Sequence, residues 1–195
     1  MEFLESYMKF HFADEDLYRI EDSELQRRLA GVMACECVAR VNGRIALIEA
    51  KSSAPRPQNK ENFETFINDI IQKFVDTLLL FNAVKLKRHG EGPLDEIGVN
   101  IKSFKGDEDY VLYLIIHGHE EEWLLHVMEA LQLKLNHIFM VWHISPTALK
   151  AINQEEAKRI GLIDDFFPLE RLAELKAKKT PVKQIEEEAR AFLSL

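Results

Sequence analysis

Apolar and polar positions change period several times along the chain, and each change marks an expected element. Residues 35–41 and 44–51 are two β-rich runs separated by Asn42-Gly43. Asn-Gly suits a two-residue hairpin turn, because both positions tolerate positive φ. Alternate residues of a strand share a face. Ile45, Leu47, Glu49 and Lys51 are therefore expected on one face, and Ala46, Ile48 and Ala50 on the other. On the partner strand, Ala34, Glu36, Val38 and Arg40 share a face. Ser52, Ser53, Pro55 and Pro57 then end the strand and make a stiff, exposed connector. A long helix follows, opening at Asn59 or Asn62 and running to about Lys87. Its Phe63, Ile67, Ile70, Phe74, Leu78 and Phe81 repeat at helical spacing.

Elsewhere the pattern is shorter in range. Within residues 1–12, Phe3, Leu4, Tyr7 and Met8 are spaced as in a short helix packed on the sheet. Residues 14–16 read as a turn and residues 17–20 as a first strand. Ser23 is placed to cap a short helix over residues 24–29, with Gly31 to stop it. Residues 97–101 read as a short strand, followed by an exposed turn over 106–109. The unbroken apolar run 110–116 is expected to be a central strand buried on both faces. Residues 120–135 are an expected helix with Trp123, Leu124, Val127, Met128 and Leu131 as its core stripe. Residues 138–144 read as a second buried strand, so strand, helix and strand imply a crossover between parallel neighbours. Ser145-Pro146 marks a helix start, Asn153 with Glu156 resembles a capping box, and Gly161 stops the helix that follows. Residues 169–179 and 181–195 read as amphipathic helices separated by Thr180-Pro181. The expected fold is α/β, a mixed central sheet opened by an antiparallel hairpin and flanked by helices. Residues 1–165 make the α/β domain. Residues 166–195 make a helical extension, packed on that domain or at a contact with a second copy.

The 195 residues suit one domain with a sizeable core, and a hydrophobic share of 47% excludes a disordered chain. No apolar run reaches the roughly 18 residues that a membrane helix needs. The start Met1-Glu2-Phe3-Leu4-Glu5 lacks the basic and apolar regions of a secretory signal. Cys35 and Cys37 sit two apart on one strand face, where regular geometry allows no disulfide. They are expected as buried thiols in the reducing cytoplasm. A net charge of −8 argues against an extended basic surface for nucleic acid, so any grip has to come from a local patch. Arg56 and Lys60, after the second hairpin strand, are the candidates. The group Lys85, Lys87, Arg88 and His89 equally suits a helix C-terminus.

Glu49 and Lys51 close an otherwise apolar strand. Charges at a core margin are costly unless paired or bound to an ion. Two carboxylates from adjacent strands, Glu36 and Glu49, can hold Mg²⁺ or Mn²⁺, and Lys51 can orient or activate a water. The alternative is that Glu49 and Lys51 are ordinary strand-end charges. The order acid, hairpin, Glu-x-Lys and long helix, carried by Glu36, Glu49, Ala50 and Lys51, resembles the PD-(D/E)xK superfamily of restriction-endonuclease-like nucleases. The resemblance spans roughly residues 17–81 and the β-α-β segment that follows. Glu36 stands where the family usually has Asp, and Cys35 where Pro is common. The resemblance implies a Mg²⁺-dependent nuclease with Glu36, Glu49 and Lys51 as the catalytic set. Glu36 and Glu49 are then the metal ligands, and the Ala50 carbonyl completes the shell. DNA is the implied substrate, and a homodimer suits double-strand cutting. The family also implies an accessory acid from an N-terminal element, for which Glu21, Asp22 and Glu24 are candidates. A polar pair on the long helix, Gln72 and Lys73, is implied near the site.

His117-Gly118-His119 offers two imidazoles suited to zinc if they share a strand face, or a strand-to-helix turn in which Gly118 supplies the bend. No Gly-rich phosphate loop, Gly-x-Ser-x-Gly elbow or Cys-x-x-Cys pair is present, which leaves nucleotide-fuelled and serine-hydrolase chemistry without support. Two function classes stand: the metal-dependent nuclease, and a binding or scaffold module that keeps the fold without catalysis.

Overall fold

The computed structural model describes residues 1–106 and 108–194. Asp107, in the turn expected over 106–109, and Leu195, at the end of the last expected helix, lie outside them. The chain opens on an antiparallel hairpin, β1 (Glu2–Glu5) and β2 (Met8–His11), turned at Ser6 and Tyr7 with φ of 50° and 67°. A 3-10 turn at Asp14–Asp16 leads to β3 (Leu17–Tyr18) and then to α1 (Glu24–Arg28), capped by the Ser23 hydroxyl, which accepts from the Gln26 N–H. Next come β4 (Cys37–Val41) and β5 (Arg44–Lys51), paired across Asn42-Gly43, whose φ values of 50° and 77° are the positive ones this turn requires. The long helix α2 (Lys60–Lys85) follows from Asn59, then the four-residue α3 (Val99–Lys102). β6 (Tyr110–Ile116) runs parallel to β5, α4 (Glu121–Trp142) crosses over, and β7 (Leu149–Asn153) runs parallel to β6. The chain closes with α5 (Gln154–Arg159), β8 (Asp165–Phe166), α6 (Leu169–Ala177) and α7 (Val182–Phe192).

Two sheets result. The larger is five-stranded and mixed, in the order β3-β4-β5-β6-β7; the smaller is antiparallel, in the order β1-β2-β8. Odd-numbered residues of β5, such as Ile45 and Leu47, join a core with Ile70 and Phe74 of α2 and Leu131 of α4. Even-numbered ones, Ala46, Ile48 and Ala50, join Met8 and Phe10 of the small sheet on the opposite face. The last two helices pack Leu172, Leu175 and Ile185 against Tyr7 and Phe167. The Phe167 N–H donates to the Tyr7 carbonyl at 2.9 Å, so the expected helical extension is tied to the first turn of the chain. Among the described residues, no helix is long and apolar enough to cross a membrane.

Four local expectations are corrected. Residues 1–12 are a hairpin and not a helix. The deciding signal is the alternation of buried Met8, Phe10 and Phe12 with Lys9 and His11, a period of two that outweighs the helical spacing before it. Residues 97–101 carry helix α3. Gly98 there donates to the Leu17 carbonyl at 3.0 Å and lies so close to the Asp14 carbonyl that a Cβ would meet it at 2.5 Å. Residues 138–144 continue α4 and do not form a strand. The stripe Val127, Leu131, Leu135 and Phe139 carries on at helical spacing until His143, at φ 52°, ends it. The parallel crossover is real, but its second strand is β7. Finally, Cys35 and Cys37 are both buried and free but belong to opposite core layers, because the chain bends at Glu36 before β4 begins.

Phe10 is fully buried, with its ring stacked on Phe3 at 5.0 Å. Phe10→Ala is expected to destabilise the protein by about 3–5 kcal/mol, read as a lower urea midpoint at unchanged slope.

Candidate functional site

Glu49 lies one residue past Ile48, the last residue of β5 paired with β4, is paired with Leu114 of β6 on its other side, and is 0% exposed. Its face is the α2 face, by the same alternation that buries Leu47 there. A bare carboxylate in this position is untenable, and two ammonium groups answer it. Lys51 Nζ is 2.6 Å from Glu49 Oε1, and Lys73 Nζ is 3.0 Å from the same oxygen. Lys73 comes from the middle of α2, one helical turn past Ile70 and on the same buried side. Its Nζ also lies 3.2 Å from Glu21 Oε1 and 3.7 Å from Glu36 Oε1. Glu36 is set by the bend before β4 and is 3% exposed. Glu21 is set by the tight turn between β3 and α1, where the Ser23 hydroxyl donates to the Ile20 carbonyl at 2.8 Å. One carboxylate oxygen each from Glu5, Glu21 and Glu36 lie within 4.8 Å of one another.

Four carboxylates thus face two ammonium groups. The surplus negative charge and the burial together shift the titration of the group. Burial pushes Glu36 up to about 10, helped by its hydrogen bond with Glu21 and by the charge of Glu49. Burial also raises Glu49, against the pull of Lys73 and Lys51. Glu5 is raised by burial and by Glu21. For Glu21, burial is outweighed by the hydrogen bond from Glu36 and by Lys73, and the net direction is down. Lys73 is raised, because Glu49, Glu36 and Glu21 outweigh its burial. At neutral pH, Glu36 therefore carries a proton that it shares with Glu21, while Lys73 stays charged. Glu36 Oε2 and Glu49 Oε2 are buried and accept no hydrogen bond from the described residues. The donor set is all oxygen with excess negative charge, the chemistry that hard divalent cations select. The open side of the cluster is the one with Glu21, 37% exposed, and Lys51, 30% exposed.

Of the residues singled out in the sequence, Glu36, Glu49, Lys51, Glu21 and Lys73 are brought together. Ala50 points its methyl into the opposite core layer. The Lys51 carbonyl accepts from the His117 N–H at 2.8 Å on the β6 side. Strand carbonyls alternate in direction, so that of Ala50 is directed to the β4 side, past the last paired residue, Cys37. Gln72 and Glu24 are not brought to the cluster. Gln72 is exposed and donates to Asp76 Oδ1 at 2.7 Å. Glu24 is exposed on α1, with Arg28 at 3.7 Å. Asp22 pairs with Arg19 at 2.6 Å. Lys60 is exposed at the start of α2, and Arg56 lies over the Trp123 ring at 5.6 Å. His117 and His119 line a separate pocket. Glu5 was missed, because a helix over residues 1–12 gives it no reason to approach β4. The Met8, Phe10 and Phe12 alternation was the signal that would have found the hairpin. No family model matches the chain, and neither a curated protein nor a solved structure does.

Two outcomes follow from this geometry. Lys73→Ala leaves Glu49 short of a partner in the core and is expected to cost about 3–5 kcal/mol. Most of that loss returns in the double variant Lys73→Ala/Glu49→Gln, as a double-mutant cycle in urea will show. The pH dependence is set by Glu36, whose carboxyl is raised from 4.5 to about 10. The stability its proton confers is complete below about pH 4.5 and is lost as pH rises toward about 10. Glu36→Gln, permanently neutral, should match the parent near pH 4.5 and exceed it increasingly at higher pH, by on the order of 1–3 kcal/mol near pH 9. Denaturation across that range checks the sign.

Proposed function

We propose that this protein is a divalent-cation-dependent nuclease that hydrolyses phosphodiester bonds, with a restriction-endonuclease-like core of the PD-(D/E)xK kind. The observation that carries the reading is the junction of Glu36, Glu49 and Lys51 at one end of the β4–β5 hairpin, where Glu36 Oε2 and Glu49 Oε2 are buried and accept no hydrogen bond from the described residues. The antiparallel β3-β4-β5 arrangement, followed by α2 and the parallel strand β6, supports the fold likeness.

Glu36 and Glu49 are the proposed oxygen ligands for Mg²⁺ or Mn²⁺, with the Ala50 carbonyl directed to the same edge; the carboxylates close enough to Glu36 to share an ion with it are Glu5 and Glu21, while Glu49 Oε1 is held by Lys51 and Lys73. When bound, such an ion supplies Lewis acidity and makes water a stronger nucleophile at neutral pH. The chain's own groups do the rest. Glu36 would serve as a ligand only after losing its proton to solvent. Lys51, partly open to solvent, orients the water and holds negative charge on the phosphate. Lys73 favours the ionised forms of Glu49 and Glu21 against their burial and holds both in place. With a net charge of −8, the grip on DNA is local, and Arg56 and Lys60 are the cations nearest in sequence to the end of β5.

One observation favours a second reading. Lys73 already contributes a positive charge to Glu21, Glu36 and Glu49, and a cluster neutralised in this way can persist as the core of a non-catalytic scaffold. Calorimetric titration with Mn²⁺, beside Glu49→Ala, separates the two. The nuclease requires saturable binding that the variant loses, and Mg²⁺-dependent DNA cleavage that falls by at least about a hundredfold in the variant. Absence of Mn²⁺ binding and of cleavage in both proteins is the scaffold's outcome.

A further inference from the structure

At the C-terminal ends of β5 and β6, beyond Lys51, a pocket of about 320 Å³ opens between the connector after β5, the turn after β6, and α6. None of the carboxylates described above lines it. The turn after β6 is shaped by Gly118, at φ 73°, a backbone conformation that glycine adopts without strain. Two cations stand at the rim, Arg56 from the connector and Lys176 from α6. Both are exposed, and neither makes an ion pair among the described residues; Arg56 lies over the Trp123 ring and Lys176 over the Tyr7 ring. Glu120 is the single carboxylate in the lining.

Three nitrogens of lining residues, His117 Nδ1, His119 Nε2 and Trp123 Nε1, are closed off from solvent behind the pocket wall and have no hydrogen-bond partner among the described residues. His117 is 2% exposed, and its Nε2 lies 2.8 Å from the Phe167 carbonyl. A carbonyl only accepts, so Nε2 carries the hydrogen. Burial lowers the His117 pKa, and Lys176 lowers it further, against the pull of the Phe167 carbonyl. The ring is therefore neutral, and its Nδ1 is an acceptor. Trp123 Nε1 is a donor, and the Ser52 and Ser53 hydroxyls serve as either.

We propose that this pocket binds a small phosphate monoester of nucleotide size. The phosphate meets Arg56 and Lys176, and the uncharged part meets the Ser52 and Ser53 hydroxyls of the lining, which donate or accept. Two unpaired cations converging on one mouth are the charge pattern of a phosphate site, and the guanidinium suits it by its fork of donors. The volume is at the small-ligand end of the usual range. The pocket adjoins the carboxylate centre beyond Lys51 but contains none of its carboxylates, so phosphate binding there needs no divalent cation.

The test is calorimetric titration in the presence of a chelator, with inorganic phosphate, AMP and adenosine as separate probes. AMP is expected to bind, phosphate more weakly, and adenosine not measurably. Phosphate binding with no gain for AMP assigns the pocket to free phosphate and keeps its anion chemistry. Arg56→Ala/Lys176→Ala should weaken AMP by roughly tenfold or more, since both side chains lie at the rim and their loss leaves the core intact. Glu49→Ala should leave AMP binding unchanged, which keeps this result distinct from that of the proposed nuclease centre. If neither AMP nor phosphate binds at about 10 mM, or if both bind the double variant as they bind the parent, the proposal is overturned.

Discussion

A fully buried carboxylate at the end of a sheet pairing is the constraint on which the rest of this structure depends. Glu49 sits just past the last β4–β5 pair, against β6, and water cannot compensate its charge. Two lysines from different elements must therefore be delivered to one oxygen. Lys51 comes with the strand, but Lys73 arrives only if α2 lies along the sheet at the correct height and rotation. The apolar stripe of α2 and the ion pair of Lys73 thus impose the same placement, by packing and by charge. Agreement of this kind between two unrelated forces is what gives a buried polar cluster a single geometry.

The cluster is held from several directions. Its acids come from β1, the turn before α1, the bend before β4, and β5. The last two are joined by the hairpin, whereas Glu5 and Glu21 come from separate parts of the chain. The small sheet secures Glu5, because β2 is pinned on one side by β1 and on the other by β8. Residues far apart in sequence, at the two ends of the chain, thereby stabilise one margin of the acidic group. The bend at Glu36 has a second consequence. It turns Cys35 toward α2, where its N–H donates to the Thr77 hydroxyl at 2.7 Å, and so releases the Ala50 carbonyl from a β4 partner.

Much of this was legible in the residues themselves. Asn42-Gly43 marked the hairpin because few dipeptides tolerate two positive φ values. Ser23 and Asn153 marked helix starts because their side chains satisfy amide groups that a helix leaves open, and both do so, Asn153 accepting from the Glu156 N–H at 3.0 Å. Glu36, Glu49 and Lys51 were recognisable because charges at the margin of an apolar strand need a reason. Lys73 was named beside Gln72, but their spacing alone could not separate them. Position on the helix did, since Lys73 follows Ile70 on the buried side and Gln72 faces solvent.

The sequence by itself determined the periodic and local features: the hairpin, the stripe of α2, the helix caps and the two carboxylates that close the hairpin strands. These depend on interactions within a few residues, and their physical rules are short-ranged. Only the tertiary structure decided which apolar run becomes strand or helix where both periods fit, as in residues 1–12 and 138–144. There the choice rests on what packs against the segment. It also decided that Glu5 and Glu21 stand beside Glu36, that Cys35 and Cys37 part to opposite layers, and that Arg56 and Lys176 meet at one mouth. Such neighbours share no spacing in the chain, and they meet because buried charge and apolar surface must both be covered at once.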